Sequence, residues 1–228
     1  TNLHISSLKA LPPDQQTAIL ASLNDREADE LLHDWQFHAR SNQIAPGGYW
    51  LTWLFLAGRG AGKTRSGAEW TRQKIKSGVQ YFALIAPTAG DARDIMVEGE
   101  SGLLSVCWKG DRDHRGNVVG KPLYEPSKRR VTWENGAQAT LFSAEEPERL
   151  RGPQHSAGWC DEVAAWKRMQ ETWDMFQFGL RLGDAPQAMV TTTPKPLRLI
   201  RELRKDANTV ISTGSTFDNA DNLAGTFL

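Results

Sequence analysis

Leu54-Phe55-Leu56-Ala57-Gly58-Arg59-Gly60-Ala61-Gly62-Lys63-Thr64 passes from an apolar run of strand length, through a glycine-rich turn, to Lys-Thr at the head of a predicted helix. That order suits a phosphate. Glycines let consecutive backbone N–H groups curl around an anion, and the following helix directs the positive end of its dipole at the same point. Lys63 can then reach the β and γ phosphates, and the Thr64 hydroxyl can ligate Mg²⁺. The strict pattern asks for glycine where Ala57 stands, so this is its alanine variant. Gly58, Arg59, Gly60, Ala61, Gly62, Lys63 and Thr64 are the predicted nucleotide-binding residues, with ATP and Mg²⁺ as the predicted cofactors.

Outward from this loop, strand-length apolar runs at residues 50–57, 81–86, 157–160, 189–193 and 210–213 alternate with helical stretches at 63–77, 91–97, 171–182 and 196–205. Such alternation predicts an α/β fold with a mostly parallel central sheet flanked by helices. One hairpin interrupts it: residues 131–134 and 137–142 flank Asn135-Gly136, a two-residue turn signal. Before the core, Pro12-Pro13-Asp14 opens a short helix ending near Leu23. Asn24-Asp25-Arg26-Glu27 then has capping-box spacing ahead of Ala28, Leu31, Leu32, Trp35 and Ala39, which would share the face of a second helix. Pro46-Gly47-Gly48 breaks that pattern. The expected division is an N-terminal helical appendage (1–45), a P-loop core (46–216), and a polar, Asn-rich segment (217–228) that starts a linker.

A P-loop binds nucleotide, but hydrolysis needs a second carboxylate-bearing strand. Trp159-Cys160-Asp161-Glu162 is the best candidate, although its strand is less aliphatic than its neighbours. Asp161 would hold Mg²⁺ through water and Glu162 would polarise the attacking water. In P-loop ATPases of the type expected here, with an additional strand and a catalytic glutamate (ASCE), the strand after the Asp-Glu strand lies between it and the P-loop strand. Its tip here is Thr191-Thr192-Thr193-Pro194, so these threonines could sense the γ-phosphate, or simply end a strand. Arg59, inside the loop, could stabilise the transition-state charge in cis. Arg93, Arg112, Arg149 and Arg151 are candidates for a finger offered to a neighbouring subunit, although most arginines are surface residues. Gln43, at the end of 35–43, could pair with the edge of adenine or could close a helix packed for structural reasons.

The composition sets outer limits. In 228 residues, 27 basic and 27 acidic side chains balance, so a nucleic-acid face would have to be local. The longest mostly apolar stretch, 49–58, is about half of a membrane span, and the first residues lack a signal-peptide layout, so a cytosolic protein without membrane contact is expected. Cys107 and Cys160 make no disulfide framework. Asp111-Arg112-Asp113-His114-Arg115-Gly116 begins like a calcium loop, but Arg115 and Pro122 stand where ligands belong. The histidines show no metal spacing with the cysteines, and no nucleophile elbow is present.

Residues 54–70 (LFLAGRGAGKTRSGAEW), Ala86-Pro87-Thr88 leading to 91–99, Arg149-Leu150-Arg151-Gly152-Pro153, Trp159-Cys160-Asp161-Glu162 and Thr191-Thr192-Thr193-Pro194 together resemble the large terminase subunit of tailed bacteriophages, over about residues 35–223. The resemblance implies an ATP-driven motor that threads double-stranded DNA through a portal into a procapsid. It implies Lys63 and Thr64 as phosphate and Mg²⁺ contacts, Asp161 as metal carboxylate and Glu162 as catalytic glutamate. Thr191, Thr192 and Thr193 would be its coupling motif and Gln43 its adenine contact. It further implies a ring, usually of five subunits, a small terminase subunit as partner, and a place in the host bacterial cytoplasm, transiently on the procapsid portal. Family members carry a C-terminal nuclease domain, which this chain is expected to lack. Two rival readings stand beside this one. A helicase or recombinase motor of the same core would separate strands or form filaments, and a nucleotide-binding assembly switch would bind without turnover.

Overall fold

The structure, a computed structural model, describes residues 5–222 and divides into two units, residues 1–44 and residues 45–228. The first unit holds four short helices, α1 (Ile5–Lys9), α2 (Pro13–Ala21), α3 (Asp25–Leu32) and α4 (Trp35–His38), then a 3₁₀ turn at Ser41–Gln43. The capping box forms as spelled: Asn24 Oδ1 accepts from the Glu27 N–H at 2.9 Å, and Glu27 Oε2 accepts from the Asn24 N–H at 3.0 Å. The single helix expected to run on through Ala39 does not form. The Asp34 carboxylate takes the Gln36 N–H at 2.9 Å, a donor that a continuous helix would give to a carbonyl, so α3 stops at Leu32 and α4 starts afresh.

The second unit is built on eight strands: β1 (Thr52–Ala57), β2 (Tyr81–Ala86), β3 (Leu123–Glu125), β4 (Arg130–Thr132), β5 (Gln138–Ser143), β6 (Ala157–Asp161), β7 (Gln187–Thr192) and β8 (Thr209–Gly214). Their order across the sheet is β3-β4-β5-β2-β6-β7-β1-β8, parallel from β5 to β8 and antiparallel at β3 and β4. Helices α5 (Lys63–Lys76), α6 (Ala89–Asp91), α7 (Leu103–Val106), α8 (Met169–Gly179) and α9 (Arg198–Leu203) cover it. Strand residues alternate between two cores. Trp53, Phe55, Phe82, Leu84 and Trp159 pack with Trp70 and Ile75 of α5, while Leu54, Ile85, Cys160 and Val190 pack with Phe176 of α8 and Leu199 of α9. This is the mostly parallel, helix-covered P-loop architecture expected, with β7 between β6 and β1.

Two local expectations need correction. The hairpin between β4 and β5 turns through three residues, not two: the Trp133 N–H donates to the Ala137 carbonyl and the Gly136 N–H to the Trp133 carbonyl, both at 3.0 Å. Gly136 sits at φ 83°, the left-handed position that closes a turn-plus-bulge loop. Residues 91–97 are not a plain α-helix. After α6, capped by Thr88, the chain widens into a π-helix at Ala92–Val97, marked by the Glu98 N–H donating to the Arg93 carbonyl five residues back. The segment read as the start of a linker begins with two short 3₁₀ turns within Thr216–Asn222, separated by a kink at Asn219, while residues 223–228 fall outside the described part.

One buried group makes stability depend on pH. His155, ahead of β6, is 3% exposed between the rings of Phe142 and Phe176, and burial pulls its pKa down to about 4. In the unfolded chain it titrates near the ordinary value of about 6.5. Above that pH it is neutral in both states; as pH falls from about 6.5 to 4, only the unfolded chain takes up the proton. This site should therefore cost the fold up to about 3 kcal/mol across that window. Urea melts of the protein and of His155→Phe between pH 7 and 4 check this: the substitution should flatten the acid side of the profile.

Candidate nucleotide site

All parallel strands point the same way, so the loops after β1, β2, β6, β7 and β8 meet at one sheet edge, where ligands of α/β folds bind. The P-loop leaves β1 there. Gly60 and Gly62 take φ of 72° and 82°, left-handed values that a side chain resists, and α5 then starts with no side-chain cap. The uncapped, 14-residue α5 offers its N-terminus to an anion. Lys63 folds back over the loop, donating to the carbonyls of Ala57 at 3.1 Å and Gly58 at 3.0 Å and lying 3.1 Å from Glu162 Oε1.

The Asp-Glu pair sits across the loop from this lysine. Asp161 ends β6 with Thr191 of β7 as its register partner, and Thr191 Oγ1 donates to Asp161 Oδ1 at 2.6 Å. Burial pushes the Asp161 carboxyl up to about 6; the Thr191 bond opposes this, the charge of Glu162 adds to it, and Lys63 opposes it again. Glu162 itself has φ 44°, a strained conformation for a residue with a side chain. The turn aims its carboxylate back at Lys63 and at Thr193, whose N–H and hydroxyl both reach Oε2 at 3.4 Å. Thr192 accepts from the Ala164 N–H at 3.0 Å, pinning the turn beyond Glu162. The three predicted sensor threonines therefore touch Asp161, the post-Glu162 turn and Glu162 in sequence order.

A cavity of about 490 Å³ opens over the loop, lined by Arg59, Gly60, Gly62, Lys63, Thr64 and Glu162 from the predicted set. Its wall also holds residues outside that set, among them Arg65, Asp94, Ser101 and Asn219. Arg65 follows Thr64 directly, Asp94 and Ser101 come from the π-helix and the turn after it, and Asn219 comes from the 3₁₀ stretch beyond β8. Asn219 Nδ2 donates to the Gly60 carbonyl and Thr216 Oγ1 to the Arg59 carbonyl, both at 2.7 Å, so the far end of the core holds the P-loop in shape. A directly adjacent cation could have flagged Arg65; nothing local flags Asn219.

Most of the other candidates have partners close by in sequence. Gln43 closes the 3₁₀ turn of the N-terminal unit, accepting from the Arg40 N–H at 3.2 Å. Arg93 pairs with Asp94, and Arg149 with Glu146 at 2.9 Å. Arg112 is exposed and bridges to Val118, and Arg151 lines a separate cavity with Phe178. None of these four arginines is among the residues described as lining the nucleotide cavity. Among the described residues, no helix is long and apolar enough to cross a membrane.

A hard divalent cation fits the donors present. A buried carboxylate whose charge burial disfavours and a hydroxyl at the cavity wall are both oxygen ligands of the kind Mg²⁺ takes.

Comparison with known proteins bears on the family and the fold. The family model described as "Terminase large subunit, T4likevirus-type, N-terminal" matches residues 54–224. The fold is similar to the ATPase domain of the Thermus phage P74-26 large terminase, with a TM-score of 0.55 and 15% identity over 87% of this chain and 89% of that one. It is also similar to the large terminase of a thermophilic bacteriophage, solved with ADP (TM-score 0.53, 16% identity, 86% of this chain) and with ATP-γ-S (0.51, 15%, 87%). The chain spans 46% of that longer protein. No curated protein sequence matches it.

Proposed function

The chain belongs to the terminase large-subunit family, and from that membership we propose that it is an Mg²⁺-dependent ATPase whose turnover drives double-stranded DNA through a portal into a procapsid. The observation that carries this reading is the meeting of Lys63 Nζ and Glu162 Oε1 at 3.1 Å across the mouth of the cavity. A lysine from the phosphate loop and a carboxylate from the end of β6, one strand removed from β1, face the volume that a γ-phosphate and its attacking water would share.

The proposed division of labour follows from the contacts. Gly58 to Gly62 and the start of α5 would cradle the phosphates through backbone N–H groups, and Ala61 keeps the loop small. Lys63 would exchange its carbonyl and carboxylate contacts for phosphate oxygens. Thr64 and Asp161 would hold Mg²⁺, which when bound supplies charge neutralisation at the phosphates. Glu162 would then take the proton of the attacking water, and Arg59, at the cavity wall, would oppose the developing charge. Thr193, on the Glu162 carboxylate, would pass the loss of phosphate to the chain after Pro194. Gln43 remains the proposed adenine contact, and one of Arg93, Arg112, Arg149 and Arg151 the proposed finger for a neighbour.

The partners proposed are double-stranded DNA, a portal, a small terminase subunit and further copies in a ring, proposed to be a pentamer, in the host cytoplasm. The proposed segments are a helical appendage, an ATPase core and a linker start. The test is hydrolysis of Mg²⁺-ATP by the chain alone and with portal-bearing procapsids and double-stranded DNA. Turnover that rises on the procapsid supports the packaging motor. Strand separation would favour the helicase reading, and binding with no turnover under either condition would favour the assembly switch.

A further inference from the structure

We propose that Trp159 is a positioning residue for Asp161: its indole N–H sets the direction of the Thr191 hydroxyl, and through it the orientation in which the Asp161 carboxylate is offered to a divalent cation. The proposal rests on the nucleotide-site reading above and assigns a role to a residue that touches neither nucleotide nor metal.

The argument is a count of protons. An indole nitrogen can only donate, and a threonine hydroxyl has one proton and two lone pairs. Trp159 Nε1 donates to Thr191 Oγ1 at 2.8 Å, so the hydroxyl accepts there and must place its single proton elsewhere. Two acceptors are within reach, Asp161 Oδ1 at 2.6 Å and the Cys160 carbonyl at 3.4 Å, and the shorter contact is to the carboxylate. Without the indole, the hydroxyl would be free to turn. With it, a directed chain runs from Trp159 through Thr191 to Asp161. All three residues are buried, so no solvent competes for these bonds.

The indole is itself fixed. Trp159 has no exposed surface, and its ring fills the place where Gly67 of α5 lacks a side chain: a Cβ there would stand 2.1 Å from the ring. Gly67 lies one helical turn after Lys63, so a single side chain is keyed into the P-loop helix at one edge and bonded to β7 at the other. The helix that carries Lys63 and Thr64 and the two strands that carry Asp161 and the threonines are thereby held in one register. A leucine or phenylalanine would fill the same core without orienting anything.

The experiment is a calorimetric titration of the full chain with ADP, with and without Mg²⁺, for the parent, Trp159→Phe, Thr191→Val and Thr191→Ser. Trp159→Phe should reduce the Mg²⁺-dependent gain in ADP affinity about tenfold, the lower end of what loss of a supporting partner costs a metal site, and should leave Mg²⁺-free affinity within about twofold. Thr191→Val should do the same, a double variant that combines Trp159→Phe with Thr191→Val should be no worse than Thr191→Val alone, and Thr191→Ser should keep the gain. A folded Trp159→Phe protein with the parental Mg²⁺ gain would overturn the proposal, as would equal losses with and without Mg²⁺. If Trp159→Phe does not fold, the Thr191 pair decides: a loss in the valine form that the serine form restores supports the relay, and equal behaviour of the two overturns it. No Mg²⁺ gain in the parent would overturn the nucleotide-site reading itself, and this proposal with it.

Discussion

Glu162→Gln is expected to slow ATP turnover by about 10²–10⁴-fold, the range for losing a positioned base, while nucleotide affinity stays within about threefold. The amide has the same shape, and its one oxygen can still accept from Lys63 or from Thr193, the two groups that now touch the carboxylate. Lys63 keeps its two carbonyl acceptors at Ala57 and Gly58, so the P-loop has no reason to rearrange. The capacity to take a proton from water disappears, together with the negative charge facing Lys63. Steady-state hydrolysis together with nucleotide titration separates the two effects. Parental turnover in this variant would remove Glu162 from the chemistry, and a parallel loss of affinity would make it a structural brace of the loop.

Arg72→Met should destabilise the core by about 3–5 kcal/mol, because it strands buried carboxylates. Arg72 and Glu69 on α5 and Asp111 in the loop after α7 are all buried, the two carboxylates 1% exposed. The guanidinium grips Asp111 with two bonds of 2.6 Å and Glu69 with one of 3.1 Å. Burial opposes the charge on both Arg72 and Asp111, but their mutual bonds outweigh it, raising the arginine pKa and lowering that of the aspartate. Lys76 on Asp111 and Arg65 on Glu69 would remain, which holds the cost toward the lower end. Chemical denaturation measures it. A loss below about 1 kcal/mol would mean that the remaining cations suffice, and replacing Glu69 and Asp111 together with Arg72 by apolar residues should recover much of the stability.

What could be read in advance followed from how local each requirement is. Phosphate binding needs strand, glycines, lysine and threonine in one unbroken stretch, so residues 54–64 announced the P-loop and with it the parallel sheet. Strands buried on both faces, such as β1 and β2, read as continuous apolar runs, and β2 appeared with its observed bounds. Requirements met by distant residues were hidden. Asn219 and Thr216 grip the P-loop from 159 and 157 residues away, and no pattern near residue 60 predicts them. The ion pair of Arg72 and Asp111 had no local signal, because the two residues are 39 positions apart. The tryptophan that made 157–160 look like a weak strand is the indole bonded to Thr191. β3 is three residues long and carries no periodicity to detect. Asp34 ended a helix that hydrophobic spacing alone would have continued, because a side-chain acceptor outcompeted a carbonyl.

The central claim is that the loop after β1 holds the phosphates of a nucleotide. Titration of ATP into the protein and into Lys63→Ala, with Mg²⁺ present, tests it most directly. The expected result is saturable binding by the parent that weakens about 10–100-fold when the ammonium is removed, the worth of one hydrogen-bonded charge contact. Equal affinities for the two proteins, or no binding by either, would contradict it.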